Sequence, residues 1–267
     1  MVDFEFKEKY NIDDFIEIMK ILRRPGGCPW DIEQTHESIK KNLIEETYEV
    51  IEAINKQDTD LLREELGDLL MQVVFHTVME EEKGVFDFDD VVDEVSKKLI
   101  IRHPHVFGDV NADTVDEVLA NWDAIKKRTK NQKSVSESML SVPVELPALM
   151  RASKIQKKAA DVGFDWDDCS GAVDKLYEEA DELKAAIQNG DGENAEEELG
   201  DLLFSAVNVS RFIHADPEES LTKASNKFLN RFTLVEKLAG ERNIDMKTAS
   251  LEELDSLWEE VKKAEMR

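Results

Sequence analysis

The sequence predicts an all-α protein built from two tandem helical domains. Three observations lead to this prediction. Apolar residues recur with helical spacing along most of the chain. The 6 prolines and 11 glycines cluster between the periodic segments. A long motif occurs twice, whereas no segment shows sustained apolar–polar alternation bounded by hairpin turns.

The first half contains four predicted helices. Residues 36–55 place apolar side chains along one broad side, and the polar residues 56–60 that follow indicate a turn. A second helix is predicted from about residue 61 to residue 83, and Gly84 ends it. Two further helices are predicted over 88–101 and 114–129.

The repeat defines the domains. EETYEVIEAI followed by REELGDLLMQVV in the first half matches EEADELKAAI followed by EEELGDLLFSAV in the second. The strings around Trp30 (CPWD) and Trp166 (FDWD) match as well. Residues 131–147, rich in serine and proline, are typical of a connection. We therefore predict domains at 1–130 and 148–267, joined by a linker over 131–147.

Each repeat carries carboxylates with the spacing of a cation site. Residues three apart share one helix face, and a short turn makes two helices antiparallel, so four carboxylates should converge in each hairpin. Four adjacent carboxylates repel one another unless divalent cations bind, and oxygen ligands favour Mg²⁺ or Mn²⁺ over Zn²⁺. The alternative is that these residues form ordinary solvated helix faces. The predicted metal ligands are Glu46, Glu49, Glu65 and Asp68 in the first repeat, and Glu179, Glu182, Glu198 and Asp201 in the second.

Cationic and aromatic residues in both repeats are candidates for contacts to a phosphorylated ligand. A lysine and an arginine four residues apart lie on one helix face, and a tryptophan and a lysine do the same on a later helix. The tryptophan could stack on a base while the cations reach phosphates, although core packing is the alternative for each tryptophan. The candidates are Lys98, Arg102, Trp122 and Lys126 in the first repeat, and Lys227, Arg231, Trp258 and Lys262 in the second. His103 and His105 are a weaker candidate metal pair, because the second repeat has no counterpart.

Composition argues against several classes of protein. A net charge of −26 is unfavourable for a nucleic-acid-binding surface. The chain has no apolar run long enough to span a bilayer and no opening signal segment, so we expect a cytoplasmic protein without a membrane partner. Cys28 and Cys169 are isolated and predict neither a zinc site nor a disulfide.

The repeated motif resembles that of the MazG family of nucleotide pyrophosphohydrolases, in which EExxE is followed, after a spacer, by ExxD. Here it reads Glu45-Glu46-x-x-Glu49 with Glu65-x-x-Asp68, and Glu178-Glu179-x-x-Glu182 with Glu198-x-x-Asp201. The strings PGGCPWDIEQTH, RHPHVFG and VGFDW also resemble the two-domain bacterial members.

The resemblance implies tandem helical domains with four-helix-bundle-type cores that are completed in a homodimer. It implies Mg²⁺-dependent cleavage of NTPs and dNTPs to NMP and pyrophosphate, in a house-cleaning role. It also favours the second half as the main catalytic site, which would comprise Glu178, Glu179, Glu182, Glu197, Glu198 and Asp201, with Glu178 or Glu197 as candidate bases. Two alternatives stay open, namely a non-catalytic acidic module that binds cations or a partner protein, and a narrow-specificity dUTP or dCTP hydrolase.

Overall fold

The computed structural model describes residues 4–112, 114, 115, 117, 118, 121, 122, 125 and 134–265. Every regular element among these residues is an α-helix, which confirms the all-α prediction. The chain divides into two compact units, Met1–Thr129 and Lys130–Arg267.

Unit 1 is organised around a helical hairpin. Its helices are α1 (Ile12–Arg23), α2 (Pro29–Glu33), α3 (His36–Lys56), α4 (Thr59–Glu81), α5 (Phe88–Arg102) and α6 (Pro104–Phe107). Helix α3 ends at Gln57, which has a left-handed φ of 55°, and the Asp58 side chain caps the start of α4. Two residues therefore suffice to reverse the chain, within the turn predicted over 56–60. Of the helix predicted over 114–129, only residues 115, 117, 118, 121, 122 and 125 have a described helical conformation.

The core of unit 1 lies at the far end of this hairpin from the connecting turn. Helix α1 packs against α4, and the start of α3 contributes to the same cluster. Salt bridges from Lys20 to Glu81 (2.6 Å) and from Arg23 to Glu82 (2.7 Å) join α1 to the end of α4. The first turns of α4, which carry the predicted metal ligands, lie outside this core. Its buried members are Met19, Ile39, Val74, Phe75, Val78 and Met79.

Unit 2 repeats the hairpin. Its helices are α7 (Val135–Leu140), α8 (Ala148–Ala160), α9 (Cys169–Asn189), α10 (Gly192–Phe212), α11 (Pro217–Glu241) and α12 (Leu251–Glu265). Gly190, with φ of 73°, ends α9, and Asp191 caps α10, so the connection again has two residues. Helix α8 packs against α10, and α11 and α12 form a separate core. The buried members of that core are Val235, Ala239, Leu257 and Val261.

The segment predicted as a linker is partly helical. Helix α7 lies inside residues 131–147 and packs against α8, with Ser138 and the following Val142 buried. Residues 131–133 lie outside the described part of the chain. The Ser134 side chain caps this short helix by accepting a hydrogen bond from the Glu137 amide.

The helices that follow the ExxD motif leave an apolar face uncovered. The nearly continuous apolar sequence predicts helices that are enclosed on most sides. Of the apolar residues after the motif, Val74, Phe75 and Val207 are buried, whereas Leu70 and Leu203 are exposed. The described residues therefore supply only part of the enclosure that the sequence predicts. Within the described ranges, no helix is both long and apolar enough to cross a membrane.

Candidate active site

Both hairpins gather glutamates near their turns. In unit 1, Glu46 and Glu49 on α3 and Glu65 on α4 each offer a carboxylate oxygen, and these oxygens all lie within 4.8 Å of one another. In unit 2, Glu179 and Glu182 on α9 meet Glu198 on α10 within the same limit. The three glutamates of one cluster correspond residue for residue to those of the other. They occupy equivalent positions because both pairs of helices are connected by two residues.

The fourth predicted carboxylate of each cluster lies slightly apart. Neither Asp68 nor Asp201 falls within the 4.8 Å limit that joins the three glutamates. Both are nevertheless near, because Asp68 contributes to the raised pKa of Glu46 and Asp201 to that of Glu198. Each aspartate therefore adds to the negative charge around its cluster.

The unit 1 cluster is electrostatically unfavourable without a cation. Loss of hydration raises the pKa of Glu46, and the charges of Asp68 and Glu49 raise it further. Loss of hydration also raises the pKa of Glu65, to which the charges of Glu49 and Asp68 add. Mutual repulsion of this kind is the property that a bound divalent cation removes, and an oxygen-only set of donors suits Mg²⁺ or Mn²⁺. The residues present therefore fit such an ion.

The unit 2 cluster has the same repulsion and one additional partner. Loss of hydration raises the pKa values of Glu182 and Glu198, with further increases from the charges of Glu198 and Glu179, respectively. Lys175 opposes both increases. Its ammonium lies 2.6 Å from Glu179 Oε1 and 2.8 Å from Glu178 Oε1. Glu179 itself is only 4% exposed, so this salt bridge is partly shielded from water.

Sequence reasoning missed Lys175. The signal was its i, i+4 spacing to Glu179, which occurs at many other lysine–glutamate pairs in this acidic chain. Glu178 and Glu197, the candidate bases, are both exposed. Glu178 accepts the hydrogen bond from Lys175, while the charge of Glu197 contributes to the raised pKa of Glu198.

The predicted ligand-contacting groups pair with each other within their own units. In unit 2, the Arg231 guanidinium lies 5.9 Å from the centre of the Trp258 ring and also bonds Glu265 (2.8 Å). Lys262 pairs with Glu259 at 2.6 Å, and Lys227 is exposed. Trp258 also packs against the α11–α12 core, as the core-packing alternative expects.

Unit 1 shows a similar arrangement. Arg102 lies 5.1 Å from the centre of the Trp122 ring, and the His103 ring packs edge-on against the same tryptophan. Lys98 is exposed, and Lys126 lies outside the described residues. His103 and His105 are not part of any described group of three metal-ligating side chains.

The cationic groups stand apart from the carboxylates in the described structure. Helix α11 packs mainly against α12 and α8, and α5 touches α4 only lightly. Among the described residues, no ion pair joins Lys98, Arg102, Lys227, Arg231 or Lys262 to a glutamate of either cluster. Within the part of the chain that the structure describes, each unit thus carries a glutamate cluster on its hairpin and an aromatic–cationic group with no ion pair to that cluster.

Comparison with known proteins agrees with the motifs. Residues 34–107 and 170–235 each match the MazG nucleotide pyrophosphohydrolase domain. A nucleoside triphosphate pyrophosphohydrolase of Escherichia coli K12 is 47% identical over 258 residues, which cover 96% of this chain and 98% of that protein.

Two further relatives extend the match. A nucleoside triphosphate pyrophosphohydrolase/pyrophosphatase MazG of Thermotoga maritima is 46% identical, over 94% of this chain and 95% of its own length. The uncharacterized protein YabN of Bacillus subtilis is 48% identical over 97% of this chain, which covers 53% of that longer protein. The two matched domains contain the two glutamate clusters, and the resemblance predicted from the sequence is confirmed: the chain belongs to the MazG nucleotide pyrophosphohydrolase family.

Proposed function

We propose that this chain hydrolyses nucleoside triphosphates, including deoxynucleotides, to NMP and pyrophosphate with the help of Mg²⁺. It is a nucleoside triphosphate pyrophosphohydrolase, a hydrolase that acts on acid anhydrides. Its role is the house-cleaning of nucleotide pools. The observation that carries the proposal is a repeated glutamate cluster inside two matched family domains. The near full-length similarity to a nucleoside triphosphate pyrophosphohydrolase supports the choice of substrate. Its nucleotide substrates favour a cytoplasmic location.

The carboxylates supply the cation-binding part of the reaction. We assign the ion in unit 2 to Glu179, Glu182, Glu198 and Asp201, and the ion in unit 1 to the matching residues Glu46, Glu49, Glu65 and Asp68. When bound, Mg²⁺ lowers the pKa of a water and neutralises phosphate charge. The exposed Glu178 and Glu197 flank the unit 2 cluster and are the candidates to accept the proton of that water.

The basic and aromatic residues supply the nucleotide-binding part. Lys227 and Arg231 offer donors for phosphate oxygens, and the Trp258 ring offers a surface for a base. The matching residues of unit 1 are Lys98, Arg102 and Trp122. In this proposal the acidic hairpin binds metal, and the cationic group binds the triphosphate that bridges to it.

A homodimer would complete both sites. The apolar faces of α4 and α10 are exposed, and a four-helix core needs two more helices than one hairpin provides. A second copy of the same chain is the simplest source of these helices. Light scattering should give about twice the 30.5 kDa of one chain. A mass of one chain at working concentration would contradict the dimer.

Product analysis tests the reaction. We would incubate the protein with each of the common NTPs and dNTPs, with Mg²⁺ and with EDTA, and separate the products by chromatography. The proposal requires NMP and pyrophosphate, and loss of turnover in EDTA. Release of NDP and orthophosphate, or full turnover without metal, would overturn it. Turnover of dUTP or dCTP alone would identify a narrow-specificity enzyme.

A further inference from the structure

The unit 2 cluster contains a positive charge of its own. Lys175 donates to Glu179 at 2.6 Å, and Glu179 is both buried and one of the three converging glutamates. The same ammonium reaches Glu178 at 2.8 Å. This geometry holds one ammonium group against two carboxylates of the unit 2 hairpin.

The unit 1 cluster has an uncharged residue at the corresponding position. Lys175 lies four residues before Glu179, and the residue four before Glu46 is Asn42. The charges that contribute most to the raised pKa values of Glu46 and Glu65 come from carboxylates, among the residues that the structure describes. The nearby Lys41 pairs instead with Glu45, at 3.0 Å and in an exposed position. The two clusters thus have the same glutamates but different countercharges.

We propose that Lys175 is a tethered cation that competes with free metal ions for the unit 2 cluster, whereas the unit 1 cluster, with Asn42 at the matching position, lacks this competitor. The inference rests on the proposed function, because it takes both clusters to be metal sites. A divalent ion at Glu179 must either displace the lysine or bind against its charge. Both routes weaken the binding of a free ion.

The competition has a consequence for the order of binding. A triphosphate brings negative charge that offsets Lys175, so the metal binds more favourably to unit 2 together with the nucleotide than alone. The unit 1 cluster has no such requirement. Lys175 therefore acts as a positioning residue, which keeps Glu179 in place and the cluster free of loosely bound metal until the nucleotide arrives.

Isothermal titration with Mn²⁺ as the probe tests this inference on the full chain. The unit 1 cluster is first disabled by Glu49→Ala and Asp68→Ala, and a variant that also carries Glu182→Ala and Asp201→Ala measures background binding to the acidic surface. In the first background, Lys175→Met keeps the methylene stem and removes the charge. We expect Mn²⁺ to bind about tenfold more tightly, since one charge-assisted hydrogen bond no longer competes. Lys175→Arg should stay close to the unsubstituted lysine.

The mirrored substitution provides a matched control. With the unit 2 cluster disabled by Glu182→Ala and Asp201→Ala, Asn42→Lys places a lysine four residues before Glu46. We expect Mn²⁺ binding to unit 1 to weaken by about tenfold. Circular dichroism and thermal melting establish that each variant is folded, and if Asn42→Lys is not, the Lys175→Met and Lys175→Arg pair decides alone.

A third titration tests the order of binding. In the presence of a non-hydrolysable α,β-methylene triphosphate, Lys175→Met should improve Mn²⁺ affinity by less than it does in the absence of nucleotide. An unchanged or weaker affinity for Mn²⁺ alone in Lys175→Met would overturn the competition while leaving the metal site intact. No Mn²⁺ binding above background in either form would instead refute the metal site itself, and with it the proposed function.

Discussion

The α3–α4 and α9–α10 hairpins hold glutamates at matching positions in different surroundings. Glu179 is buried and paired with Lys175, whereas its counterpart Glu46 is half-buried and, among the described residues, is influenced most by the carboxylates of Asp68 and Glu49. Both clusters keep the spacing of three converging glutamates. The repeat therefore preserves the glutamates, while the charges and burial around them differ between the two clusters.

Removal of one ligand from each cluster should give the largest difference between the two units. We expect Glu182→Ala to lower kcat/KM by a hundredfold or more, because a lost metal ligand costs several kcal/mol of transition-state stabilisation. The matched Glu49→Ala should cost far less, as the family resemblance favours the second half. Steady-state kinetics with one NTP and saturating Mg²⁺ measures both. Losses of about one half in each variant would show two equivalent sites, and the reverse order would assign catalysis to unit 1.

Charging the exposed apolar faces tests whether both units contribute to the proposed homodimer. We expect Leu70→Glu and Leu203→Glu each to weaken dimerisation by roughly thirtyfold, because burying a carboxylate in an apolar interface costs about 2 kcal/mol. Sedimentation velocity over a range of concentrations gives the dissociation constants. Leu251→Glu, at an exposed position on α12, serves as the control. A dimer that tolerates one of the two hairpin variants would show that only one unit pairs.

The sequence was sufficient for the parts of the molecule that local spacing controls. Helical periodicity predicted the two hairpins, and the EExxE and ExxD spacing predicted which glutamates meet. Spacing does not report what covers a helix, so the exposed side chains of Leu70 and Leu203 differ from the expected enclosure. Spacing also does not report how far a side chain reaches. It therefore predicted that the two aspartates join the glutamates, although they lie outside the 4.8 Å clusters, and it did not indicate the contact of Lys175.

A glycine in the first turn of α9 distinguishes the packing of the two hairpins. Gly171 lies eight residues before Glu179, where unit 1 has Ser38. A Cβ added at Gly171 would overlap the Trp166 ring, whereas Trp30 of unit 1 packs edge-on against Phe75 at 6.5 Å. We expect Gly171→Ala to destabilise unit 2 by about 1.5 kcal/mol in denaturant titrations. Gly240→Ala, where an added Cβ meets nothing within 4 Å, is the control, and an equal effect of both would refute the packing explanation.

We expect acid to lower the stability of unit 1 more than that of unit 2, and this is the smallest of the predicted effects. In unit 1, His36 and His76 stack with their Nδ1 atoms 2.8 Å apart, beside Glu80 and Lys83, while unit 2 has Cys169 and Val209 at the matching positions. Burial, and then His36, lowers the pKa of His76 below its ordinary value of 6.5. As the pH falls, His76 is therefore protonated in the unfolded chain before it is protonated in the folded protein. The contribution of neutral His76 to stability is present above pH 6.5 and is lost as the pH falls through the lowered pKa.

Calorimetry at several pH values measures this effect. The Tm of the wild type should fall more steeply with acid than that of His76→Phe, which keeps a ring against His36 but cannot be protonated. The exposed His214 of unit 2 provides the control variant His214→Gln. Parallel pH profiles for wild type and His76→Phe would show that the histidine pair has no such role.

The two-residue connections have a consequence for how the sites come into being. Each set of glutamates lies within a single pair of sequence-adjacent helices, so closing the hairpin costs little chain entropy and brings the ligands together through short-range contacts. Such contacts form early when a chain folds as it is synthesised. The unit 1 cluster can therefore assemble while the ribosome is still translating unit 2. Each copy of the duplicated hairpin contains all the glutamates of its own cluster.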